Sequence, residues 1–486
     1  MILNYKMIAR ILGWISVILA ASMLPSLLIS IYRHENSSSV GFIFTIIPML
    51  VLGVLGILVK PKSQIIKIRD GFAIVSFSWI VASIFGALPF VISGFIPSFV
   101  DALFEVVSGF TTTGASILKD IEVLPLGLLF WRSFTHWLGG MGILVFAVAL
   151  LPALGIGGQQ IANAETPGPV LDKITHKMSD MAKILYLIYI FITVLEVVLL
   201  RFAGMNLFDA LVQAFGTMGT GGFSNYNASI AHFNSVSIDI IIGIFMIIAG
   251  ANFNLYYDLL KGRWKSVIKN NEFQLYIIIL ALAMIVIAIN LKSAGVYDSI
   301  FTAFRYSFFQ TASIMTTTGF ASTNFDLWPT FSKMVLFFLM FIGGCSASTA
   351  GSIKVVRILV VIKLIKRELF QKLHPRAIVA LKVDGAAISS ESISGILSFI
   401  MLYLFLFVFG TLLVSVDDFG LVVSASAIAA TLGNVGPGFE AVGPVMNYSL
   451  FSDFSTMVMT FLMLCGRLEL FTVILLLSPS FWNPNK

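Results

Sequence analysis

Thr111-Thr112-Thr113-Gly114-Ala115-Ser116 is a polar, glycine-containing stretch set between long apolar runs, and it recurs. Met315-Thr316-Thr317-Thr318-Gly319-Phe320 repeats it closely, and Gly219-Thr220-Gly221-Gly222-Phe223-Ser224 repeats it more loosely. Gly433-Asn434-Val435-Gly436-Pro437-Gly438 keeps the glycines and loses the threonines. With Gly114, Gly222, Gly319 and Gly436 as the central glycines, the intervals are 108, 97 and 117 residues. One Thr-Thr-Gly reads as a surface turn; four copies at near-even spacing read as an internal repeat, which decides the architecture before any single element does.

The surrounding composition is that of a polytopic membrane protein. Hydrophobic residues make up 58% of the chain and charged residues 11%, and the mean hydropathy is +0.98. Soluble domains are far more charged. About ten apolar runs are long enough to cross a bilayer at about 20 residues each. Lys6 and Arg10 precede the first run, and the absence of a small-residue cleavage site marks it as a retained helix. Cys345 and Cys465 both lie in apolar segments, which suits small buried hydrophobes and offers no disulfide framework or metal-ligand spacing. The +6 net charge collects in the loops between spans and requires no nucleic acid.

Spans are expected at about 8–30, 41–60, 72–94, 127–151, 181–203, 236–260, 273–291, 331–365, 393–415 and 453–477. Shorter segments at about 101–110, 207–217, 298–314 and 421–432 precede the four Gly-containing loops; they are too short to span and suit re-entrant half-helices. The expected fold is therefore an all-α membrane protein of ten transmembrane helices and four re-entrant pore half-helices. Its units are an N-terminal helix pair at 1–70 and repeats at 71–152, 153–262, 263–382 and 383–486. If both termini face inside, 22 of the 30 Lys and Arg residues fall in inner loops or at their edges; the other eight are Arg33, Lys119, Arg132, Arg201, Lys292, Arg305, Lys333 and Arg467. That bias is the positive-inside pattern. All four loops then enter from outside with the same orientation, so an axis along the membrane normal relates the repeats.

Irregular backbone is tolerated at membrane depth only where it is buried in protein or lines an aqueous path. Four such loops about one axis share the centre, where backbone carbonyls replace a cation's hydration shell. Threonine hydroxyls add oxygen ligands without formal charge, and each half-helix aims its partly negative C-terminus at the centre.

With these residues in view, the chain resembles the Trk/Ktr/HKT superfamily of potassium transporters, most closely its bacterial TrkH/TrkG branch. His136-Trp137-Leu138-Gly139-Gly140-Met141-Gly142, Gly343-Gly344-Cys345-Ser346-Ala347-Ser348-Thr349-Ala350-Gly351 and Gly466-Arg467-Leu468-Glu469-Leu470-Phe471-Thr472 add to the likeness, which spans essentially the whole chain. The resemblance implies four helix–pore-loop–helix units around one K⁺ pathway, a homodimer, and a cytoplasmic TrkA-like nucleotide-binding ring that gates it. It implies a bacterial cytoplasmic (inner) membrane location and no covalently bound cofactor, with nucleotide acting only through the partner. It places the K⁺ selectivity filter at Thr112, Thr113, Gly114, Thr220, Gly221, Gly222, Thr317, Thr318, Gly319, Asn434, Val435 and Gly436. Ion-binding oxygens are expected from Thr112, Thr113, Thr220, Gly221, Thr317, Thr318, Asn434 and Val435. In the family, glycine in all four loops accompanies K⁺ selectivity; the Asn434-Val435-Gly436-Pro437 departure breaks four-fold symmetry.

Two features below the loops read as a gate. Gly343, Gly344, Cys345, Ser346, Ala347, Ser348 and Thr349 open a small-polar tract too long for a packing motif, and the resemblance matches it to an intramembrane gating loop. Arg467 lies 14 residues into the expected last span, where an arginine is costly and by default functional. It is expected to project beneath the loops and repel cations; a pair with Glu469 is disfavoured because residues two apart face different sides. Asp101 and Asp209 read as N-caps of pore half-helices, Glu196 as the one evident mid-span carboxylate with Arg201 as partner, and His136 as a hydrogen-bonded structural histidine. The second reading is an H⁺- or Na⁺-coupled K⁺ symporter on the same scaffold. The sequence holds no Gly-x-Ser-x-Gly, His-Glu-x-x-His or paired intramembrane aspartates, so an enzyme is not expected.

Overall fold

The computed structural model describes residues 3–61, 66–142, 178–377 and 379–482. The N-terminal pair is α1 (Tyr5–Tyr32) and α2 (Asn36–Leu58). The first repeat is α3 (Ile68–Ser93), half-helix α4 (Phe99–Phe110) and α5 (Leu126–Gly140). The second is α6 (Met178–Phe202), half-helix α7 (Leu207–Gly219), and α8 (Val236–Gly250) followed by α9 (Phe253–Leu260). After the short α10 (Trp264–Lys269), the third is α11 (Asn271–Ser293), half-helix α12 (Ile300–Met315), and α13 (Thr330–Phe341) with α14 (Val355–Leu373). The fourth is α15 (Ser390–Val414), half-helix α16 (Leu421–Leu432), and α17 (Asp453–Arg467) with α18 (Phe471–Leu477).

The expected all-α membrane architecture stands, with a systematic correction. Among the described residues, six helices are each long and apolar enough to span: α1, α2 and the first helix of every repeat. The second helices are interrupted. The expected span 236–260 bends by 94° between α8 and α9. Asn252 caps α9 there, its side chain accepting from the Asn254 amide (2.9 Å). The expected run 331–365 is cut by a loop at 342–354. The expected span 453–477 stops at Arg467, where Glu469 and Leu470 take left-handed φ of 61° and 54°. α5 ends at Gly140, and the rest of the expected span 127–151, from 143 on, lies outside the described residues. Sequence hydropathy averages over such breaks; close approach to the pore half-helices decides them. Gly139 and Gly466 each sit where a Cβ would strike a carbonyl at the C-terminal end of a half-helix, Phe110 O and Leu432 O.

The repeats close on themselves. α5 packs on α7, α8 on α12, α13 on α16, and α17 returns to α4. Each second helix thus meets the half-helix of the next repeat. The N-terminal pair packs on α3 and α5. Glu35 fixes it there, its two oxygens accepting from the unpaired first-turn amides of Leu126 (2.8 Å) and Gly127 (3.1 Å). A small hairpin, β1 (Lys382–Val383) and β2 (Ala386–Ala387), turns through Asp384 (φ 48°) and Gly385 (φ 82°). An Asp-Gly pair with positive φ at both residues is the primed-turn signal. Asp384 ties it to the start of α11 by accepting from the Asn271 amide (2.7 Å).

Candidate ion filter and gate

Each half-helix ends in the same cap. The residue two before each central glycine is left-handed: Thr112, Thr220, Thr317 and Asn434, at φ 55°, 53°, 57° and 53°. The next residue's amide reaches back five residues: Thr113 to Ser108 O (2.9 Å), Gly221 to Gly216 O, Thr318 to Ser313 O and Val435 to Ala430 O (each 2.8 Å). This is a Schellman-type cap. A left-handed β-branched threonine is a genuine outlier; three at equivalent positions reflect one constrained backbone. The central glycines Gly114, Gly222, Gly319 and Gly436 follow at φ 83°, 74°, 83° and 101°.

The glycines also define a ring. A methyl group built on Gly114 would overlap the Gly221 carbonyl oxygen, on Gly222 that of Thr318, and on Gly319 that of Val435; on Gly436 it would lie 2.7 Å from that of Thr113. Four contacts, each to the next repeat and the last back to the first, bring the carbonyls of Thr113, Gly221, Thr318 and Val435 together.

The side chains are placed differently from what the sequence implied. Thr113 Oγ1 lies 2.8 Å from Thr111 Oγ1 and accepts from Asn434 Nδ2 (2.9 Å). Thr318 Oγ1 lies 2.7 Å from Thr316 Oγ1. Thr220 Oγ1 donates to Gly219 O (2.7 Å), and Thr317 Oγ1 accepts from the Gly351 amide (2.7 Å). These hydroxyls hold the loops through hydrogen bonds. Asn434 likewise serves its neighbours, donating to Met463 O (3.0 Å) as well. Thr112 Oγ1 is buried with no protein hydrogen-bond partner.

Below the ring, the loop at 342–354 folds back on itself. Gly343 N donates to Ile353 O (2.9 Å) and Val355 N to Gly344 O (3.1 Å). Cys345 N donates to Gly250 O (2.8 Å), joining the loop to the bend after α8. Cys345 is fully buried and Ala347 is left-handed at φ 50°. Ser346 and Ser348 are half-buried or buried, and Thr349 Oγ1 donates to Ala249 O (3.1 Å). Gly344 packs against the Gly250 carbonyl, where a Cβ would lie 2.5 Å away. Glu272, at the start of α11, clamps both ends: it accepts from Ser346 N (2.5 Å), Ser346 Oγ (2.6 Å) and Val356 N (3.1 Å).

Arg467 is the last residue of α17, not a mid-helix residue as the apolar run implied. Its guanidinium donates to Thr349 O (2.6 Å), Gly139 O (2.6 Å) and Gly140 O (2.9 Å). It therefore ties the fourth repeat to the first and to the third-repeat loop. Glu469 pairs with Arg357 of α14.

A family model described as a cation transport protein, TrkH, matches residues 37–483. The chain belongs to the TrkH family. It is 38% identical over 492 residues to the Trk system potassium uptake protein TrkH of Salmonella typhimurium, covering 99% of this chain and 100% of that one. It is 34% identical to the Trk system potassium uptake protein TrkG of Escherichia coli, covering 99% of each. It also matches the crystal structure of the potassium transporter TrkH from Vibrio parahaemolyticus, with a TM-score of 0.88, 36% identity, and 99% and 100% of the two chains covered. TrkH-family membership makes this a membrane transport protein rather than an enzyme.

Several polar residues of this TrkH-family chain sit otherwise than the sequence reading held. The half-helix N-caps are Ser98 and Asn206, whose side chains accept from the amides of Asp101 (3.3 Å) and Asp209 (2.8 Å). Asp209 instead secures the exit loop, accepting from Asn225 Nδ2 (2.5 Å) and Tyr226 OH (2.9 Å). Burial and that carboxylate push the Tyr226 phenol up to about 12. Glu196 is fully buried but does not pair with Arg201, which donates to Met205 O (2.5 Å). His136 is structural as expected: Nδ1 donates to Gly109 O (2.6 Å) and the ring stacks on Phe223. Glu196 is not the only buried carboxylate, since Glu105, Asp239 and Glu272 are buried too. Aligning the repeats on their glycines would have found Glu105, which falls opposite Gln213 and Gln310.

Proposed function

We propose that this chain takes up potassium across the bacterial cytoplasmic (inner) membrane through a K⁺-selective, channel-like pathway, with both termini inside. The observation that carries this reading is the ring in which each central glycine abuts the next repeat's carbonyl. A dehydrated K⁺ is a cargo that such oxygens suit. The filter comprises Thr112 to Gly114, Thr220 to Gly222, Thr317 to Gly319 and Asn434 to Gly436. The chain divides into the pair 1–70 and pore repeats at 71–152, 153–262, 263–382 and 383–486. The potassium uptake named for the Salmonella and Escherichia relatives supports the cargo. The loop from Gly343 to Thr349 and Arg467 form the gate, and Thr317 Oγ1 accepting from Gly351 N, two residues past that stretch, gives it purchase on the filter. A homodimer and a cytoplasmic nucleotide-binding ring complete the assembly by analogy with the family.

Cation flux into proteoliposomes holding only this protein tests the reading. K⁺ and Rb⁺ should enter well ahead of Na⁺ and Li⁺ along their own gradients. Flux that ignores cation identity would refute the filter. Flux that needs a proton or sodium gradient would favour the coupled symporter.

Glu272→Ala tests the gate's latch. Hydrogen bonds to a charged group contribute about 1.5–3 kcal/mol each, so losing three should loosen the loop. Amide exchange at Ser346 and Val356 should accelerate, with basal K⁺ flux several-fold higher. Unaltered exchange and flux would separate Glu272 from gating.

A further inference from the structure

Glu105, Gln213 and Gln310 share one position of the repeat, nine residues ahead of Gly114, Gly222 and Gly319; the fourth repeat has Ala427 there. All three polar side chains are fully buried. Each reaches behind its loop to a serine just past the glycine. Ser116 Oγ donates to Glu105 Oε1 (3.1 Å), Gln213 Nε2 donates to Ser224 Oγ (3.0 Å), and Gln310 Nε2 donates to Ser322 Oγ (3.4 Å). Glu105 also accepts from the Ile117 amide (2.8 Å). The fourth loop is tied by Tyr448 OH donating to Gly436 O (2.8 Å).

Only the first of these ties is charged. Arg132 of α5 donates through Nε to Glu105 Oε1 (2.6 Å), and both side chains are buried. Its Nη1 continues to the Ser224 carbonyl (2.9 Å), and its guanidinium carbon lies 3.5 Å from the centre of the Phe223 ring. An unbroken chain therefore runs from Ser116 and Ile117 through Glu105 and Arg132 to Ser224 and Gln213. It joins the stretch after Gly114 to the stretch after Gly222. Repeats two and three show that a neutral glutamine suffices to tie a single loop. Only a carboxylate also holds a buried guanidinium, because an unpaired charge there is strongly disfavoured.

We infer that Glu105 and Arg132 are a positioning pair: they fix the spacing between the first and second filter loops and so set discrimination of K⁺ from Na⁺. This rests on the ring acting as the filter. A carbonyl ring selects by how closely its oxygens match the ion. The ring contact at this junction is the Gly114–Gly221 approach that the pair spans from behind.

The test is the ratio of initial K⁺ to Na⁺ flux in proteoliposomes for the full chain. Glu105→Gln keeps an acceptor for Ser116 and removes the countercharge of Arg132; Arg132→Gln removes the bridge to Ser224. Each should lower the ratio by at least about tenfold while cation flux persists, the effect of about 1.4 kcal/mol in relative barrier. Arg132→Lys, which keeps the charge without the forked reach, should give an intermediate ratio. If the first two variants do not fold, Arg132→Lys decides, since it keeps the buried charge and gives up the fork that joins Glu105 to the Ser224 carbonyl; its ratio should fall in the same direction. Wild-type preference for K⁺ with an unchanged ratio in the folded variants, or in Arg132→Lys alone, overturns the pair's role and spares the filter. A wild-type chain without K⁺ preference overturns the filter and this inference together.

Discussion

Gly114→Ser is expected to remove most of the preference for K⁺ over Na⁺. The residue sits at φ 83°, and its Cα faces the Gly221 carbonyl so closely that any Cβ would overlap the oxygen. A left-handed backbone costs a non-glycine residue about 1–3 kcal/mol. The overlap must also be relieved by moving a carbonyl of the ring itself. The ring closes through four such contacts, so displacing one oxygen disturbs the register of the first two loops. A tenfold change in relative flux needs only about 1.4 kcal/mol, so the K⁺/Na⁺ flux ratio should fall at least that far. Total cation entry should persist, because the path is deformed rather than closed. Paired Rb⁺ and Na⁺ uptake into proteoliposomes checks this. A wild-type ratio in correctly inserted Gly114→Ser protein would show that the ring does not govern selectivity.

Arg467→Ala should raise basal K⁺ flux by at least tenfold. The guanidinium holds three carbonyls from two other repeats, those of Thr349, Gly139 and Gly140. Each charged hydrogen bond contributes about 1.5–3 kcal/mol where it is shielded from water. Alanine releases the loop at 342–354 from the fourth repeat and removes a positive charge from beneath the ring. Both effects lower the barrier to a cation. Arg467→Lys should fall between the two, since an ammonium keeps the charge without the planar fork. Flux measured in the absence of any cytoplasmic partner is the right assay, because it isolates the intrinsic barrier. Unchanged or reduced flux in well-expressed Arg467→Ala protein would remove Arg467 from the gate.

Much of this architecture is legible in the chain because its cause is local. Apolar runs longer than a bilayer is thick read as spans wherever nothing interrupts them, which is why α1, α2, α3, α6, α11 and α15 are where hydropathy puts them. The recurrent glycine marks a backbone turn that only a residue without Cβ adopts freely, so the four recurrent loops declare themselves. The small-polar tract after Phe341 likewise announces a break in its helix.

What the sequence left open depends on neighbours distant in the chain. Nothing near Thr113 says that Asn434, 321 residues away, donates to its hydroxyl. The stop at Arg467 follows from Gly466 lying against the Leu432 carbonyl and from the carbonyls of three partner residues waiting for the guanidinium, while the run itself stays apolar to Leu477. The bend after Gly250 is set by the loop whose Cys345 amide takes the Gly250 carbonyl. Glu105 looks like one more helical residue until Arg132 is placed beside it. Periodicity and composition fix elements whose energies are local; close approach, hydrogen-bond partners and buried charge pairs arise only once the repeats close into a ring.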